Sequence, residues 1–219
     1  MRVYKFYSAR WGLDALYRRR LKVTTAQDIN DPFEFLAVAS NRKGRRTAKE
    51  IRDHLFSETG LISFCLNWRQ PLLWSHYAEN HSGLSLGFDI DEKIAFTVRY
   101  EDQRVIMPAL AAKVYVAGQR LRFWEAIKVV KYASWSYEEE VRAFPALNSS
   151  AYENGLYFRH FYYIGRLREV ILGYKYLSLE NIDLQKKLEK DNIEIKTARL
   201  AFKDFLVVEQ KNKRFWKSL

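Results

Sequence analysis

The hydrophobic pattern is densest between residues 63 and 90, where it predicts a strand, a helix and a second strand. Residues 61–66 form a short apolar run that is typical of a strand. Pro71 suits the first turn of a helix, because the N–H that proline lacks would have no helical partner there. The helix is then expected to bury one face at i, i+3, i+4 spacing, formed by Leu73, Trp74, Tyr77 and Ala78.

The second strand of this unit should follow directly after a glycine. Gly83 is expected to end the helix in a left-handed conformation. After it, Leu84, Leu86 and Phe88 alternate with smaller residues, which is the period of a half-buried strand.

Similar patterns predict elements along the rest of the chain. We expect an inner face on the first helix formed by Leu13, Leu16 and Tyr17. The predicted helices are residues 13–20, 47–58, 119–132 and 179–191, and the predicted strands are residues 3–7, 21–25, 96–100, 140–144, 156–164, 167–174 and 193–198.

Helices and strands are interspersed without strict alternation, which favours an α+β fold with a mixed central sheet and flanking helices. The pattern shows no linker or repeat, so we expect a single domain over residues 1–210. A basic tail, residues 211–219, should be frayed because it carries Lys211, Lys213, Arg214 and Lys217 and no acid.

Composition narrows the class of protein. Of the 219 residues 48% are hydrophobic, which is enough for a sizeable core, and Cys65 is the one cysteine. A disulfide scaffold and a cysteine-rich zinc site are therefore excluded, and we expect no metal. The start of the sequence lacks the apolar region of a signal peptide, and no run suits a membrane span, so a cytoplasmic protein without a membrane partner is expected.

The net charge of +11 favours contact with nucleic acid or other anions. The basic residues include a loop at 42–46 and the tail. The alternative is that this charge serves solubility, since the basic residues are scattered along the chain.

Three consecutive glutamates, Glu138, Glu139 and Glu140, precede an apolar segment. If they enter a strand, Glu138 and Glu140 share one face with Arg142, because side chains alternate with a period of two. Such a pair can divide the work of stabilising a cation and activating a nucleophile, and an arginine can hold one carboxylate through two hydrogen bonds. The structural alternative is a solvated acidic turn closed by a salt bridge.

The predicted helix after Pro71 carries a second group of polar and aromatic residues. Trp74, Tyr77 and His81 share one stripe, while His76 and Asn80 share the next. A structural interpretation places Trp74 and Tyr77 in the core and leaves the role of His76 open. The sequence contains neither a glycine-rich phosphate loop nor a Gly-x-Ser-x-Gly segment.

Several segments together resemble a bacterial protein family of unknown function. They are residues 4–7 (YKFY), 29–33 (INDPF), 73–78 (LWSHYA) followed by 83–89, and 135–142 (WSYEEEVR). The similarity extends from residue 3 to about residue 175. It implies no particular activity.

The order of motifs also resembles ADP-ribosyltransferases of the arginine–serine–glutamate type. Those enzymes have a basic residue on the first strand, a serine strand, a helix, an apolar strand and a late Glu-x-Glu. Here the order is Lys5, Ser63, the helix from Pro71, residues 83–89 and Glu138-Glu-Glu140. The chain departs from that pattern at Phe64 and Cys65, where threonine and serine are usual.

That resemblance implies a reaction with NAD and a protein or nucleic-acid acceptor. Glu140 would stabilise positive charge on the ribose, Glu138 would activate the acceptor and Ser63 would support Glu140. Lys5 or Arg2 would contact phosphate, and Trp74 or Tyr77 would stack on nicotinamide. We also expect Tyr7, His76 and Arg142 to contribute to cofactor binding.

Two other functions are compatible with the sequence. A non-catalytic nucleic-acid-associated binding module or effector would explain the charge but not the three glutamates. A hydrolase that uses His76 with the carboxylates is the third alternative. We further expect Trp74 and Tyr77 to line or underlie the main pocket, and residues 30–33 to form an ordered turn against it.

Overall fold

The computed structural model describes residues 1–25, 28–29, 31, 33, 38–39, 46, 53, 56–106, 127–178 and 181–219. Within these ranges the chain has an α+β fold with a large mixed sheet. The expected basic loop at 42–46 and the expected helix at 47–58 lie almost entirely outside the described residues.

The α-helices in the described part are short, with 7 to 10 residues each. They are α1 (Ala9–Arg18), α2 (Pro71–Tyr77) and α3 (Ile182–Lys190). Short 3₁₀ helices cover Glu92–Ile94, Ala133–Glu138, Leu147–Ser149, Phe161–Tyr163 and Lys213–Phe215.

The strands are numbered in chain order. They are β1 (Arg2–Tyr7), β2 (Arg20–Val23), β3 (Val38–Ala39), β4 (Ile62–Cys65), β5 (Leu84–Ile90), β6 (Phe96–Thr97), β7 (Arg99–Glu101), β8 (Val105–Ile106), β9 (Val130–Tyr132), β10 (Glu140–Ala143), β11 (Ala151–Glu153), β12 (Leu156–His160), β13 (Gly165–Leu172), β14 (Glu194–Leu200) and β15 (Val207–Glu209).

Eight of these strands form the main sheet in the order β15-β14-β13-β5-β1-β4-β10-β6. The pairing of β13 with β14 is parallel, with α3 in the connection, and the other pairings are antiparallel. β5 lies near the centre and is buried over most of its length, since neighbours cover both its edges and both its faces. The predicted half-buried strand is therefore a central one.

The sheet opens between β1 and β4. β1 pairs with β5 from Arg2↔Asp89 to Tyr7↔Leu84, whereas its pairing with β4 is limited to Tyr4↔Cys65. Two strands that touch at one residue pair must diverge on either side of it. This divergence creates the cleft described below.

The two faces of the sheet carry different residues. The larger core lies on one face and includes Val3, Ile62, Phe64 and Val141, with α1 packed nearby. Tyr4 and Phe6 belong to a smaller cluster around Trp74 on the opposite face. The period of two along β1 thus sends its residues alternately to two cores.

Several predicted boundaries and orientations are wrong. α1 begins at Ala9, before the predicted start, and Tyr17 is 49% exposed where an inner position was expected. Residues 130–132 form β9, not the end of a helix, because they pair with β7. The predicted strand at 96–100 is broken into β6 and β7.

The basic tail is not frayed at its end, in contrast to the expectation. The Leu219 side chain is fully buried, and its carbonyl accepts a hydrogen bond from the Asn181 N–H at 2.7 Å. The Lys217 N–H donates to the Thr197 hydroxyl at 2.8 Å. These contacts attach the tail to β14 and to the start of α3.

Among the described residues, no helix is both long enough and apolar enough to cross a membrane.

Candidate functional site

A cleft of about 230 Å³ lies where β1 and β4 diverge. Its walls combine apolar side chains with three carboxylates and two amines. The described residues that line it are Tyr4, Lys5, Phe6, Thr24, Asp28, Ile29, Leu61, Ser63, Phe64, Cys65, Leu73, Tyr77, Lys131, Glu138 and Glu140. All three predicted catalytic residues are in this set.

Glu140 is the first residue of β10 and is only 3% exposed. Its carboxylate accepts hydrogen bonds from Arg142 Nε at 3.0 Å and Nη2 at 2.9 Å. Ser63, on the neighbouring β4, also hydrogen-bonds this carboxylate. Burial acts to raise the pKa of Glu140, but the charges of Arg142 and Lys131 outweigh it and lower the pKa to about 2. Glu140 is therefore an anion at neutral pH.

Glu138 lines the same cleft, but it belongs to a 3₁₀ helix and not to the predicted strand. It ends the 3₁₀ helix Ala133–Glu138, and Glu139 follows in a left-handed conformation with φ of 43°. The prediction that Glu138 and Glu140 share a face of one strand is wrong, because the strand begins only at Glu140. The left-handed residue turns the chain so that both outer glutamates face the cleft while Glu139 is exposed.

Lys131 connects the two glutamates and was not identified from the sequence. Its ammonium lies 2.6 Å from Glu138 Oε2 and 3.0 Å from Glu140 Oε2. Its side chain is 8% exposed, and the Trp135 ring centre lies 5.1 Å from Nζ. The available signal was weak: one lysine precedes the glutamates by seven residues, in a segment expected to be helical.

Lys5 is the basic residue that β1 presents to the cleft. Its ammonium donates to the Ser63 carbonyl at 3.1 Å and lies 5.9 Å from the centre of the Phe64 ring. Burial lowers the pKa of Lys5 to about 8.

Arg2, the alternative basic residue, is held elsewhere. It bonds Asp89 and Glu169 at 2.6 Å each. It does not line the cleft, so Lys5 is the residue placed to contact an anionic group there.

The two aromatic residues of α2 have separate roles. The Tyr77 hydroxyl donates to Glu138 Oε1 at 2.6 Å and lines the cleft. Trp74 is fully buried, and its Nε1 donates to the Trp68 carbonyl at 2.6 Å. Its ring packs edge-on against Phe6, a cleft residue, with the ring centres 5.1 Å apart. Trp74 therefore lies beneath the cleft, which is one of the two positions expected for it. It cannot stack on a ligand there, so the expectation that it could stack on nicotinamide is wrong.

Three other predicted cofactor residues do not line the cleft. His76 is exposed on α2, near the rings of Tyr77 and Tyr137. The hydroxyl of Tyr7 is buried and has no hydrogen-bond partner among the described residues, and burial raises its pKa. Arg142 is fully buried and acts through Glu140, to which it donates. The two errors have different causes: His76 is on the exposed side of α2, whereas Tyr7 is beside Lys5, whose Nζ lies 5.6 Å from the Tyr7 ring centre, but it is outside the cleft lining.

The expected turn at residues 30–33 is described only in part, since Asn30 and Pro32 lie outside the described residues. Asp31 is 9% exposed and accepts a hydrogen bond from the Phe33 N–H at 2.8 Å. Both residues line a second cavity of about 360 Å³, together with Glu101, Asp102, Gln103, Arg104, Val130, Lys131 and Tyr132. Lys131 is common to the two cavities.

Within the described ranges, no three His, Cys, Asp or Glu side chains are grouped as ligands for a metal ion.

No protein-family model matches this chain, and no match was found among curated proteins or solved structures.

Proposed function

We propose that this protein is an NAD-dependent ADP-ribosyltransferase-like enzyme that acts on a protein or nucleic-acid acceptor. One observation carries the proposal: Glu138 and Glu140 meet in one cleft with Ser63 and Lys5. These are the residue types, in the order along the chain, on which the resemblance to such enzymes depends. That four residues from three segments, separated by up to 135 residues, meet in one place supports a common role.

The chemistry of the cleft residues suits NAD. Carboxylates on one wall match a ribose that gains positive charge, and an ammonium beside the first strand matches a diphosphate. The cleft volume of about 230 Å³ is below the roughly 300–1,000 Å³ typical of sites for larger ligands, so it suits the nicotinamide end alone. Bound NAD would supply the leaving group, nicotinamide.

Glu140 would stabilise the positive charge that develops on the ribose. This role needs a fixed anion, and the low pKa of Glu140 keeps it ionised. Ser63 and Arg142 hold the carboxylate in position through hydrogen bonds. Because these contacts exist before a ligand enters, little reorganisation is required during the reaction.

Glu138 would orient the acceptor and remove its proton. Its carboxylate is positioned by the Tyr77 hydroxyl on one oxygen and by the Lys131 ammonium on the other. Lys5 would contact a phosphate through its ammonium, which is charged at neutral pH.

A binding module for nucleic acid is the second candidate function. The net charge of +11 favours it, and Lys213 and Arg214 in the tail are exposed. The two functions are compatible if a nucleic acid is the acceptor.

The discriminating experiment compares Glu138→Gln with Glu139→Gln. Both variants lose one charge from the same acidic segment, but only Glu138 lines the cleft. We expect Glu138→Gln to reduce NAD consumption and label transfer by about 10²-fold or more. Glu139→Gln should retain wild-type turnover.

The proposal fails if the wild-type protein neither binds nor consumes NAD when macromolecular acceptors are supplied. It also fails if Glu138→Gln turns over NAD as fast as Glu139→Gln. Melting curves for both variants exclude loss of fold as the cause of lost turnover.

A further inference from the structure

The Lys131 ammonium lies between the carboxylates of Glu138 and Glu140, where a cation is close to both. It lies within hydrogen-bond distance of Glu138 and Glu140. The face of Trp135 is on another side at 5.1 Å. Two carboxylates and an aromatic ring are the groups that bind organic cations in proteins.

Charge in this part of the cleft is balanced by the chain itself. Glu138 and Glu140 supply two negative charges, and Lys131 and Arg142 supply two positive ones. Lys5 adds a further positive charge to the cleft, and Asp28 adds a further negative one. An incoming cation would therefore find no net negative charge while Lys131 stays between the carboxylates.

Lys131 and Arg142 differ in their freedom to move. Arg142 is fully buried and donates two hydrogen bonds to Glu140 from a planar group. The Lys131 backbone is fixed by the pairing of β9 with β7, but its ammonium is carried on a flexible four-carbon chain. Lys131 also lines the second cavity, where Asp31 and Asp102 offer alternative carboxylates, while Glu101 in the same lining is paired with Arg99 at 2.8 Å.

We propose that Lys131 is a resident cation: its ammonium holds the ligand's cationic position between Glu138 and Glu140 and withdraws toward the second cavity when a cationic ligand enters. The ligand class is a planar organic cation. The identity of that cation as the pyridinium of NAD rests on the proposed function.

This role makes Lys131 a determinant of specificity. A neutral ligand gains nothing from displacing the ammonium, whereas a cation takes over its two carboxylates. Lys131 thus weakens the binding of a cation and leaves the binding of a neutral molecule of the same shape almost unchanged.

The test uses two probes of nearly equal shape, the N-methylnicotinamidium cation and neutral nicotinamide. Binding of each is titrated calorimetrically to wild type, Lys131→Met, Lys131→Arg and Lys175→Met. Lys175 is a suitable control because it is exposed and lies over the ring of Tyr174, 5.4 Å from its centre, away from the cleft.

We expect Lys131→Met to bind the cation about tenfold more tightly than wild type, since the carboxylates lose their resident partner. Its affinity for nicotinamide should change by less than about twofold, because that probe carries no charge. Lys131→Arg keeps the charge and should show no gain for the cation. Lys175→Met should match wild type for both probes. Lys131→Gln, which also removes the charge, serves in place of Lys131→Met if the latter does not fold.

The proposal is overturned if Lys131→Met and Lys131→Gln bind the cation no more tightly than wild type does. It is also overturned if their affinity for nicotinamide rises by the same factor. It is likewise overturned if the cation binds to none of the variants. NAD consumption by the wild type tests the proposed function separately. If Lys131→Met gains affinity for the cation but the wild type consumes no NAD, the role of Lys131 is supported and the proposed enzyme is rejected. If the wild type consumes NAD but Lys131→Met gains no affinity for the cation, the enzyme is supported and the role of Lys131 is rejected.

Discussion

Arg142 is a fully buried guanidinium, and it makes Glu140 a structural residue as well as a catalytic candidate. A buried charge is stable only when an opposite charge and hydrogen bonds accompany it. Glu140 supplies both, through two hydrogen bonds from Arg142. A substitution at Glu140 is therefore expected to affect stability as well as turnover.

Glu140→Gln should lower the free energy of unfolding by about 3 kcal/mol at neutral pH, because it leaves Arg142 buried without its anion. The pKa of Glu140 is lowered to about 2, so its stabilising effect is complete above the unfolded-state pKa of about 4.3. That effect is lost as the pH falls toward about 2. Urea denaturation of both proteins at neutral and acidic pH measures the difference in free energy of unfolding, which should become smaller as the pH falls.

The double variant Glu140→Gln/Arg142→Met is the control for this mechanism. It removes the unpaired cation, so it should be more stable than Glu140→Gln alone. A double variant that is no more stable would indicate that the lost stability has another origin.

Lys5 should make ligand affinity depend on pH. Its ammonium is charged below its pKa of about 8 and loses the charge above it. We expect NAD to bind more weakly as the pH rises through about 8, because the phosphate contact loses its cation. Lys5→Arg should remove this dependence, since arginine stays charged to a pH of about 12. Calorimetric titration across this range measures it, and an unchanged profile in Lys5→Arg would assign the pH effect to another group.

The residues of the site differed in how well the sequence revealed them. Glu138, Glu140 and Ser63 could be chosen from the sequence, because their side chains are chemically reactive types and their order along the chain resembles that of known enzymes. Lys131 could not, since its role depends on the parallel pairing of β9 with β7. Trp74 was misassigned because helical periodicity identifies a buried stripe without showing whether a ligand or a core covers it.

Among the elements, α2 and its exit turn set the position of Tyr77. The turn uses three residues in the left-handed region, Glu79, Asn80 and His81. Gly83 was expected to have that conformation and does not. It is needed for another reason: a Cβ there would lie 2.0 Å from the Tyr7 carbonyl oxygen.

Gly83→Ala should destabilise the protein by about 2 kcal/mol, because backbone must move to admit the methyl group. Gly155→Ala is the comparison, since Gly155 has a φ of +81° and open space around its Cβ position. It should cost only about 1 kcal/mol, from backbone strain alone. Chemical denaturation measures both, and equal losses would contradict the steric explanation.

Element types were predictable wherever the local pattern agreed with long-range pairing. β1, β4, α2 and β5 follow directly from their hydrophobic periods. Residues 130–132 did not, because Val-Lys-Tyr is too short and mixed to distinguish a helix from a strand, and the pairing with β7 decides. The 3₁₀ helix before Glu140 depends on a left-handed glutamate, which no periodicity indicates.

At the scale of the whole molecule, the charge distribution separates the cleft from the surface. The net charge is +11, whereas the buried charges around Glu138 and Glu140 are balanced. Among the described residues, exposed basic side chains such as Lys175, Lys213 and Arg214 carry positive charge at the surface, where it attracts anions without specificity for sequence.

We expect weak binding to nucleic acid that falls steeply between about 50 and 200 mM salt, since it rests on counterion release. Replacing exposed Lys213 and Arg214 with glutamine should reduce the salt slope by about two if both contact phosphate. Fluorescence anisotropy with an arbitrary duplex measures the slope. Binding that is sequence-specific and independent of salt would contradict this interpretation.

The pairing of β5 with both β1 and β13 has a consequence for synthesis on the ribosome. β1 can pair with β5 once residue 90 has emerged, but the other edge of β5 stays open until β13, at residues 165–172, is available. An apolar strand with an open edge is prone to associate with other chains. The nascent protein must therefore pass through a long interval in which its central strand is unprotected. In that interval β1 and β4 can already bring Lys5 and Ser63 together, before residues 138–140 complete the cleft.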